Sequence, residues 1–167
     1  MAIVSSAAAG LRASRATIVQ LRAPDLSAAA LEKEAVALVA SASVPVLVSS
    51  RCDVALASHA AGVNLPESDI SVADARTLLG ERLIGRSVHG AAAARAAEQE
   101  GADYIIFGPV WHSDSHPGTQ GAGLAALAQV VRSVKIPVLA IGGVTEERVV
   151  ELLASGAAGY AAIKLFE

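Results

Sequence analysis

The sequence predicts an α/β fold of the TIM (β/α)8 barrel type, lacking its first strand and its last helix. Three observations lead there. Short β-branched apolar runs alternate with Ala/Leu-rich amphipathic stretches along the whole chain. Successive candidate strands begin between 18 residues apart (Val44 to Gly62) and 33 apart (Tyr104 to Pro137), a spacing that suits βα units with right-handed crossovers. Polar residues and glycines gather just after the strands, at the end of a barrel where active sites sit.

The chain opens with an alanine-rich helix over 6–14. Ile3 and Val4 offer at most a remnant strand, because about a dozen residues separate them from Thr17, a marginal crossover length. Candidate strands follow at 16–21, 44–48, 62–65, 83–87, 104–107, 137–141 and 159–163. Most are apolar on both faces, as parallel strands covered on both sides should be. Helices are expected at 27–41, 53–60, 71–79, 91–100, 124–134 and 145–155, with Asp25 or Ser27, Asp53, Ser71 and Thr145 as N-caps. Gly101 and Gly156 suit the position just past a helix end. Seven strands fall one short of a closed barrel, and the resulting open edge exposes backbone groups that pair with another chain. A homo-oligomer, or a chain lacking its true start, is therefore expected. A doubly wound sheet is the alternative, although no GxGxxG follows a first strand to support a dinucleotide fold.

Length and composition bound the function. The 167 residues suit one domain spanning 1–167, with no linker or charge block to divide it. Hydrophobic residues make up 53% and charged ones 17%, which excludes a disordered chain. Alanine accounts for 37 positions, raising hydropathy without supplying bulk. With 3% aromatics and a net charge of −3, neither a nucleic acid nor an anionic membrane is an expected partner. A lone cysteine, Cys52, forms no internal disulfide, and the N-terminus lacks a basic signal-peptide region, so a cytoplasmic location is expected. The uncharged apolar run 35–50 is too short to span a bilayer.

Two post-strand segments carry the sharpest chemistry. In PVLAIGGVT (137–145) two glycines end a buried strand and a helix begins at once. The backbone N–H groups of Gly142 and Gly143 can approach an anion closely, and the helix end favours negative charge. With one strand missing upstream, these glycines follow strand 7, where barrels commonly hold phosphate. The second segment is the long loop at 108–123, which carries His112, Ser113, Asp114, Ser115 and His116. Loops of that length tend to bind or cover ligands, and histidine moves protons near neutral pH. Gln20 and Arg22 share one strand face, where a polar pair in an apolar strand suggests substrate contact. His89 follows Ser87 at a strand end, as a catalytic or helix-capping residue. His59 and Cys52 read as structural.

In combination and order, VQLR (19–22), SRCDVALA (50–57), GVNLPESD (62–69), IGRSVH (84–89), GADYIIFGPV (101–110) and IPVLAIGGVT (136–145) resemble the thiamine-phosphate synthase / TenI family. The resemblance implies a TIM barrel that binds phosphorylated thiazole and pyrimidine intermediates. Synthase members join hydroxymethylpyrimidine pyrophosphate to thiazole phosphate with Mg²⁺ and expel pyrophosphate; TenI members include thiazole tautomerases. The chain departs from the synthase pattern. The lysine of VQLRxK is Pro24, the Asn-Asp pair is Ser49 and Ser50, and the Thr-x-Thr-Lys loop reads Ser113, Asp114, Ser115, His116. Lys164 replaces the serine after the last strand, while Asp69 is kept. Ser50 cannot act as a charged Mg²⁺ ligand. The histidine linked to tautomerase chemistry falls at Pro109, three and seven residues before His112 and His116.

The leading expectation is therefore a TenI-like barrel binding a small thiazole phosphate and acting as a thiazole tautomerase, with no cofactor. His116 or His112 is its proton shuttle. Gln20, Arg22, Ser49, Ser87, Ser113 and Ser115 contact substrate, and Gly142, Gly143 and Lys164 hold phosphate. The alternatives are a thiamine-phosphate synthase using Mg²⁺ at Asp69, or a non-catalytic ligand-binding paralogue.

Overall fold

The computed structural model describes residues 1–112 and 120–166. Eight parallel strands follow one another around a single sheet: β1 (Ala2–Val4), β2 (Val19–Leu21), β3 (Val46–Ser49), β4 (Gly62–Leu65), β5 (Leu83–Val88), β6 (Tyr104–Phe107), β7 (Val138–Ile141) and β8 (Gly159–Ala161). Seven α-helices alternate with them: α1 (Ala7–Arg12), α2 (Ala28–Ser41), α3 (Cys52–Ala57), α4 (Val72–Leu79), α5 (Ala91–Gln99), α6 (Gly123–Ser133) and α7 (Glu146–Ala154). The barrel class is as the sequence predicts.

The first strand is present, which corrects the expectation that it is missing. Residues 2–4 pair in parallel with β2, and Ala2 bridges Ala162 on the far side. The Ile3 N–H donates to the Ala162 carbonyl at 2.9 Å, and the Ala162 N–H donates to the Met1 carbonyl at 3.1 Å. These bonds close the ring, so the open edge behind the homo-oligomer expectation does not exist. The short crossover works because α1 has six residues and packs tightly: a Cβ on Gly10 would stand 2.6 Å from Leu38 Cδ1 of α2. The last helix is absent among the described residues, and a 3₁₀ turn, Lys164–Phe166, follows β8 instead.

Strand alternation makes two cores. Val19, Leu21, Val48, Ile84, Ile105 and Phe107 face outward onto Leu31, Ala35, Leu38, Leu127 and Leu152 of the helices. Met1, Ile3, Leu47, Tyr104, Ile106 and Ala161 fill the barrel interior. Buried alanines such as Ala35, Ala75 and Ala94 let the helices lie close to the sheet. Ser6, Ser27 and Ser71 cap their helices, each accepting a backbone N–H three residues on. Asp53 is not a cap: α3 begins at Cys52 with no side-chain cap, and Asp53 sits in its first turn. No helix among the described residues is long and apolar enough to cross a membrane.

Candidate active site

Register decides which polar side chains enter the barrel. Gln20 pairs with Ile3 on one side and Leu47 on the other, both interior residues, so it too faces inward. Ser49, Asn64, Gly85 and Tyr104 form one row across β3 to β6 that ends on an interior residue. Ser87 pairs with the interior Ile106. Four neighbouring strands, β2 to β5, thus present Gln20, Ser49, Asn64 and Ser87 to the interior.

Asn64 was not among the residues singled out from sequence. Its Nδ2 donates to Ser87 Oγ at 2.9 Å, which turns its carbonyl oxygen away from that contact. Gln20 and Asn64 are 2% and 3% exposed, and Gln20 Oε1 and Asn64 Oδ1 have no hydrogen-bond partner among the described residues. Tyr104 Oη is a third buried polar atom without one. A Cβ on Gly85 would fall inside the Tyr104 ring, so glycine there is what admits the phenol to the interior. Burial, and to a lesser degree Asp103, pushes the Tyr104 hydroxyl pKa well above its ordinary value. Buried amide oxygens left unpaired are costly, and here they constitute a surface awaiting N–H or O–H donors.

The other expected residues lie on the rim. Arg22 follows β2, where its N–H donates to the Val4 carbonyl at 2.8 Å and its side chain lines a cavity between β1, α1 and β8. Asp69 stands in the β4–α4 loop, its Oδ1 accepting from the Ile70 N–H at 2.8 Å. That loop is braced from outside by Arg86, 7% exposed, which donates to the Pro66 carbonyl at 2.5 Å and the Ile70 carbonyl at 2.6 Å. His89 does not cap α5. Its Nδ1 lies 2.6 Å from Glu67 Oε2, and Gly90 is the N-cap. Lys164 begins the 3₁₀ turn after β8.

Gly142 and Gly143 have φ of 94° and 66°, backbone open to glycine and strained for other residues. The β6–α6 loop packs onto them. Val110 and Trp111 N–H groups donate to the Ile141 and Gly142 carbonyls at 2.8 and 3.1 Å. Arg148 donates to the Gly143 carbonyl at 2.7 Å and lies 5.0 Å above the Trp111 ring. The corner's carbonyls are therefore engaged, while its amides make no hydrogen bond among the described residues. Glu146 and Glu147 occupy the first turn of α7 and oppose a second anion there. Glu146 pairs with Arg15 at 3.1 Å, and a hydrogen bond from Thr145 lowers the Glu147 pKa. His112 is exposed, with its carbonyl against Gly143. Ser113, Ser115 and His116 lie outside the described residues.

Around the start of α3, a bidentate hydrogen bond from Arg51 holds Asp53 at a pKa of about 2. Burial raises the Cys52 thiol, and Asp69 and Asp53 raise it further, so it is protonated and inert at neutral pH.

A family model described as thiamine monophosphate synthase matches residues 2–166. The chain belongs to the thiamine monophosphate synthase family. It is 37% identical over 152 residues to the thiamine-phosphate synthase of Chloroflexus aurantiacus, covering 89% of this chain and 70% of that one. It is 39% identical over 153 residues to that of Methanoculleus marisnigri, covering 89% and 72%. Among solved structures, the thiamine phosphate pyrophosphorylase of Pyrococcus furiosus superposes with a TM-score of 0.85 at 33% identity, covering 94% of this chain and 78% of that chain. These relatives of the family member bear the name of the transferase. They overturn the expectation that placed a thiazole tautomerase ahead of a synthase. The error came from weighing the lost lysine and aspartate positions above the rest of the chain.

Proposed function

We propose that the chain is a thiamine-phosphate synthase that couples a hydroxymethylpyrimidine pyrophosphate to a thiazole phosphate. The thiazole ring nitrogen forms a C–N bond with the pyrimidine methylene carbon. The C–O bond to pyrophosphate breaks, and pyrophosphate leaves with the electron pair. The observation that carries this reading is the buried pair of unpartnered amide oxygens, Gln20 Oε1 and Asn64 Oδ1, inside the barrel. Such acceptors suit the ring substituents of a pyrimidine bearing N–H donors, and the Asn64–Ser87 bond fixes the orientation of one of them. In this reading Ser49 faces the same interior and the Gly142–Gly143 amides approach the thiazole phosphate. No proton shuttle is assigned to His112 or His116.

Among the described residues Asp69 is the rim carboxylate that would hold Mg²⁺, a metal that takes one or two carboxylates and completes its shell with water and substrate phosphate. Asp69 already accepts a backbone hydrogen bond, Asp53 is engaged by Arg51, and Ser49 and Ser50 are uncharged. No group of three His, Cys, Asp or Glu residues that could hold a metal occurs among the described residues. The expected Mg²⁺ site at Asp69 therefore has one carboxylate, and no step is routed through a metal.

The test is direct. The purified chain, given both substrates, forms thiamine phosphate and releases pyrophosphate in equal amounts. Asn64→Leu and Gln20→Leu raise KM for the pyrimidine by about 10-fold or more, the effect of losing a specific polar contact. Absence of product at saturating substrates, with and without Mg²⁺, overturns the reading.

A further inference from the structure

The outward face of β5 carries one residue foreign to an apolar layer. Ile84, Arg86 and Val88 alternate along it, and Ile84 and Val88 are buried against the helices. Arg86 pairs across the sheet with Leu65 and Ile105, both in that same layer. It is 7% exposed, and no carboxylate forms an ion pair with it among the described residues. Glu67 and Glu100 line the same cavity of about 140 Å³, but the bonds they make go elsewhere. Glu67 Oε2 meets His89, and Glu100 Oε2 accepts the Val72 N–H at 2.9 Å. A guanidinium withdrawn from water without a counter-ion is costly, and a valine or methionine would fill the position without that cost.

The partners of Arg86 show what the charge does. Nη1 donates to the Pro66 carbonyl at 2.5 Å, and that carbonyl also accepts the Asp69 N–H at 3.1 Å, closing the turn 66–69. Nη2 donates to the Ile70 carbonyl at 2.6 Å, and the Ile70 N–H donates to Asp69 Oδ1 at 2.8 Å. The residue bonded to Asp69 on either side is thus itself held by one terminal nitrogen of Arg86. A planar fork fixes the separation of the two carbonyls, which the single ammonium of a lysine does not. The loop is tied at two further points, where the His89 N–H meets Glu67 and the Val72 N–H meets Glu100. Neither of those contacts involves a group bonded to Asp69.

We propose that Arg86 is a positioning residue for the Asp69 carboxylate. It sets the turn that presents the carboxylate, from the outer side of the sheet and without touching substrate. The proposal rests on the transferase reading for what the carboxylate meets, a divalent cation that arrives with a pyrophosphate. Groups that orient a metal-binding carboxylate in this way are worth about tenfold or more in metal affinity.

The experiment follows two quantities in the full chain as Mg²⁺ is varied. One is the rate of product formation at saturating substrates. The other is the affinity for inorganic pyrophosphate, titrated calorimetrically in Mg²⁺ and in EDTA. Arg86→Met, Arg86→Lys, Asp69→Asn and the Arg86→Met/Asp69→Asn pair are compared with the parent. Arg76→Met is the control for lost stability. Arg76 donates to the Gly80, Arg82 and Gly101 carbonyls and pairs with Asp103, all at the end of the barrel where the strands begin.

Arg86→Met is expected to raise the Mg²⁺ concentration for half-maximal rate about tenfold, while the rate at saturating Mg²⁺ changes less than about threefold. The gain in pyrophosphate affinity that Mg²⁺ brings falls by the same factor. Added to Asp69→Asn, Arg86→Met has no further effect on either quantity, the coupling of a residue that acts through Asp69. Arg76→Met melts lower yet keeps the parent's Mg²⁺ dependence. Arg86→Lys keeps the charge and loses the fork, so a shift of about threefold is expected, and it carries the same test if Arg86→Met does not fold. An unchanged Mg²⁺ dependence in the Arg86 variants overturns the proposal, as does an equal effect in the Asp69→Asn background. Pyrophosphate affinity that ignores Mg²⁺ in the parent also overturns it. A chain that forms no product loses the transferase reading, and the titrations alone then decide the role of Arg86.

Discussion

Replacing Tyr104 with phenylalanine tests the polar interior without touching the rim. The phenol is 7% exposed, its ring fills the space above Gly85, and its hydroxyl has no partner among the described residues. Removing one oxygen leaves the ring, and hence the packing, in place. A buried unpaired hydroxyl costs about 1–3 kcal/mol relative to its hydrated state. Tyr104→Phe should recover about 1 kcal/mol of that. For a domain of this size, such a gain raises Tm by roughly 2–4 °C. The pH dependence supplies a second readout. Burial raises the folded-state pKa above the ordinary value of 10.0, so the folded protein holds a proton that the unfolded chain releases. That contribution is fully present below pH 10 and is lost as pH rises above it. Urea unfolding at pH 7 to 11 should show the parent losing more stability above pH 10 than the variant. A variant less stable than the parent at pH 7 by about 1 kcal/mol would refute the reasoning, because it would show that the hydroxyl is bonded, by water or otherwise.

Other outcomes follow from the same contacts. Gly143→Ala places a Cβ 2.7 Å from both the His112 carbonyl and Trp111 Cβ, at a φ of 66°; it should cost about 1–3 kcal/mol, read as a lower urea midpoint. Arg86→Met removes two charged hydrogen bonds from the loop carrying Asp69. It should lower stability by about 2 kcal/mol, and limited proteolysis should then cut between Pro66 and Ile70. Asp53→Asn breaks the bidentate pair with Arg51. Both side chains are exposed, so stability at pH 7 should fall by about 0.5 kcal/mol or less. Because the folded pKa is lowered to about 2, that small difference is present above pH 4 and disappears as pH falls through 2.

The barrel was legible because its strands are apolar on both faces, a pattern only a doubly covered parallel sheet requires. The 104–107 run YIIF shows it best: Ile105 and Phe107 meet helices while Tyr104 and Ile106 fill the interior. The first strand was not legible, because three residues carry no period and its crossover works only through the close approach of Gly10 to Leu38. Gln20 was found as a polar residue in an apolar strand. Asn64 carries the same signal in GVNL and went unnoticed because Gly62 weakens the strand pattern around it. The double glycine was visible, but the loop seated on it was not, because Trp111 and Arg148 are remote in sequence from one another. The choice between tautomerase and synthase turned on a few rim side chains, so local residue chemistry misjudged it.

The junction between Met1 and Ala162 has a dynamic consequence. Every other pair of neighbouring strands is zipped by at least three residue pairs, whereas this joint has one bridge, the backbone bonds of Ile3 and Ala162 and the bond from the Met1 ammonium to the Tyr160 carbonyl at 2.8 Å. Breathing of the barrel should begin there, with the Ile3 and Ala162 amides exchanging deuterium ahead of the other strand amides.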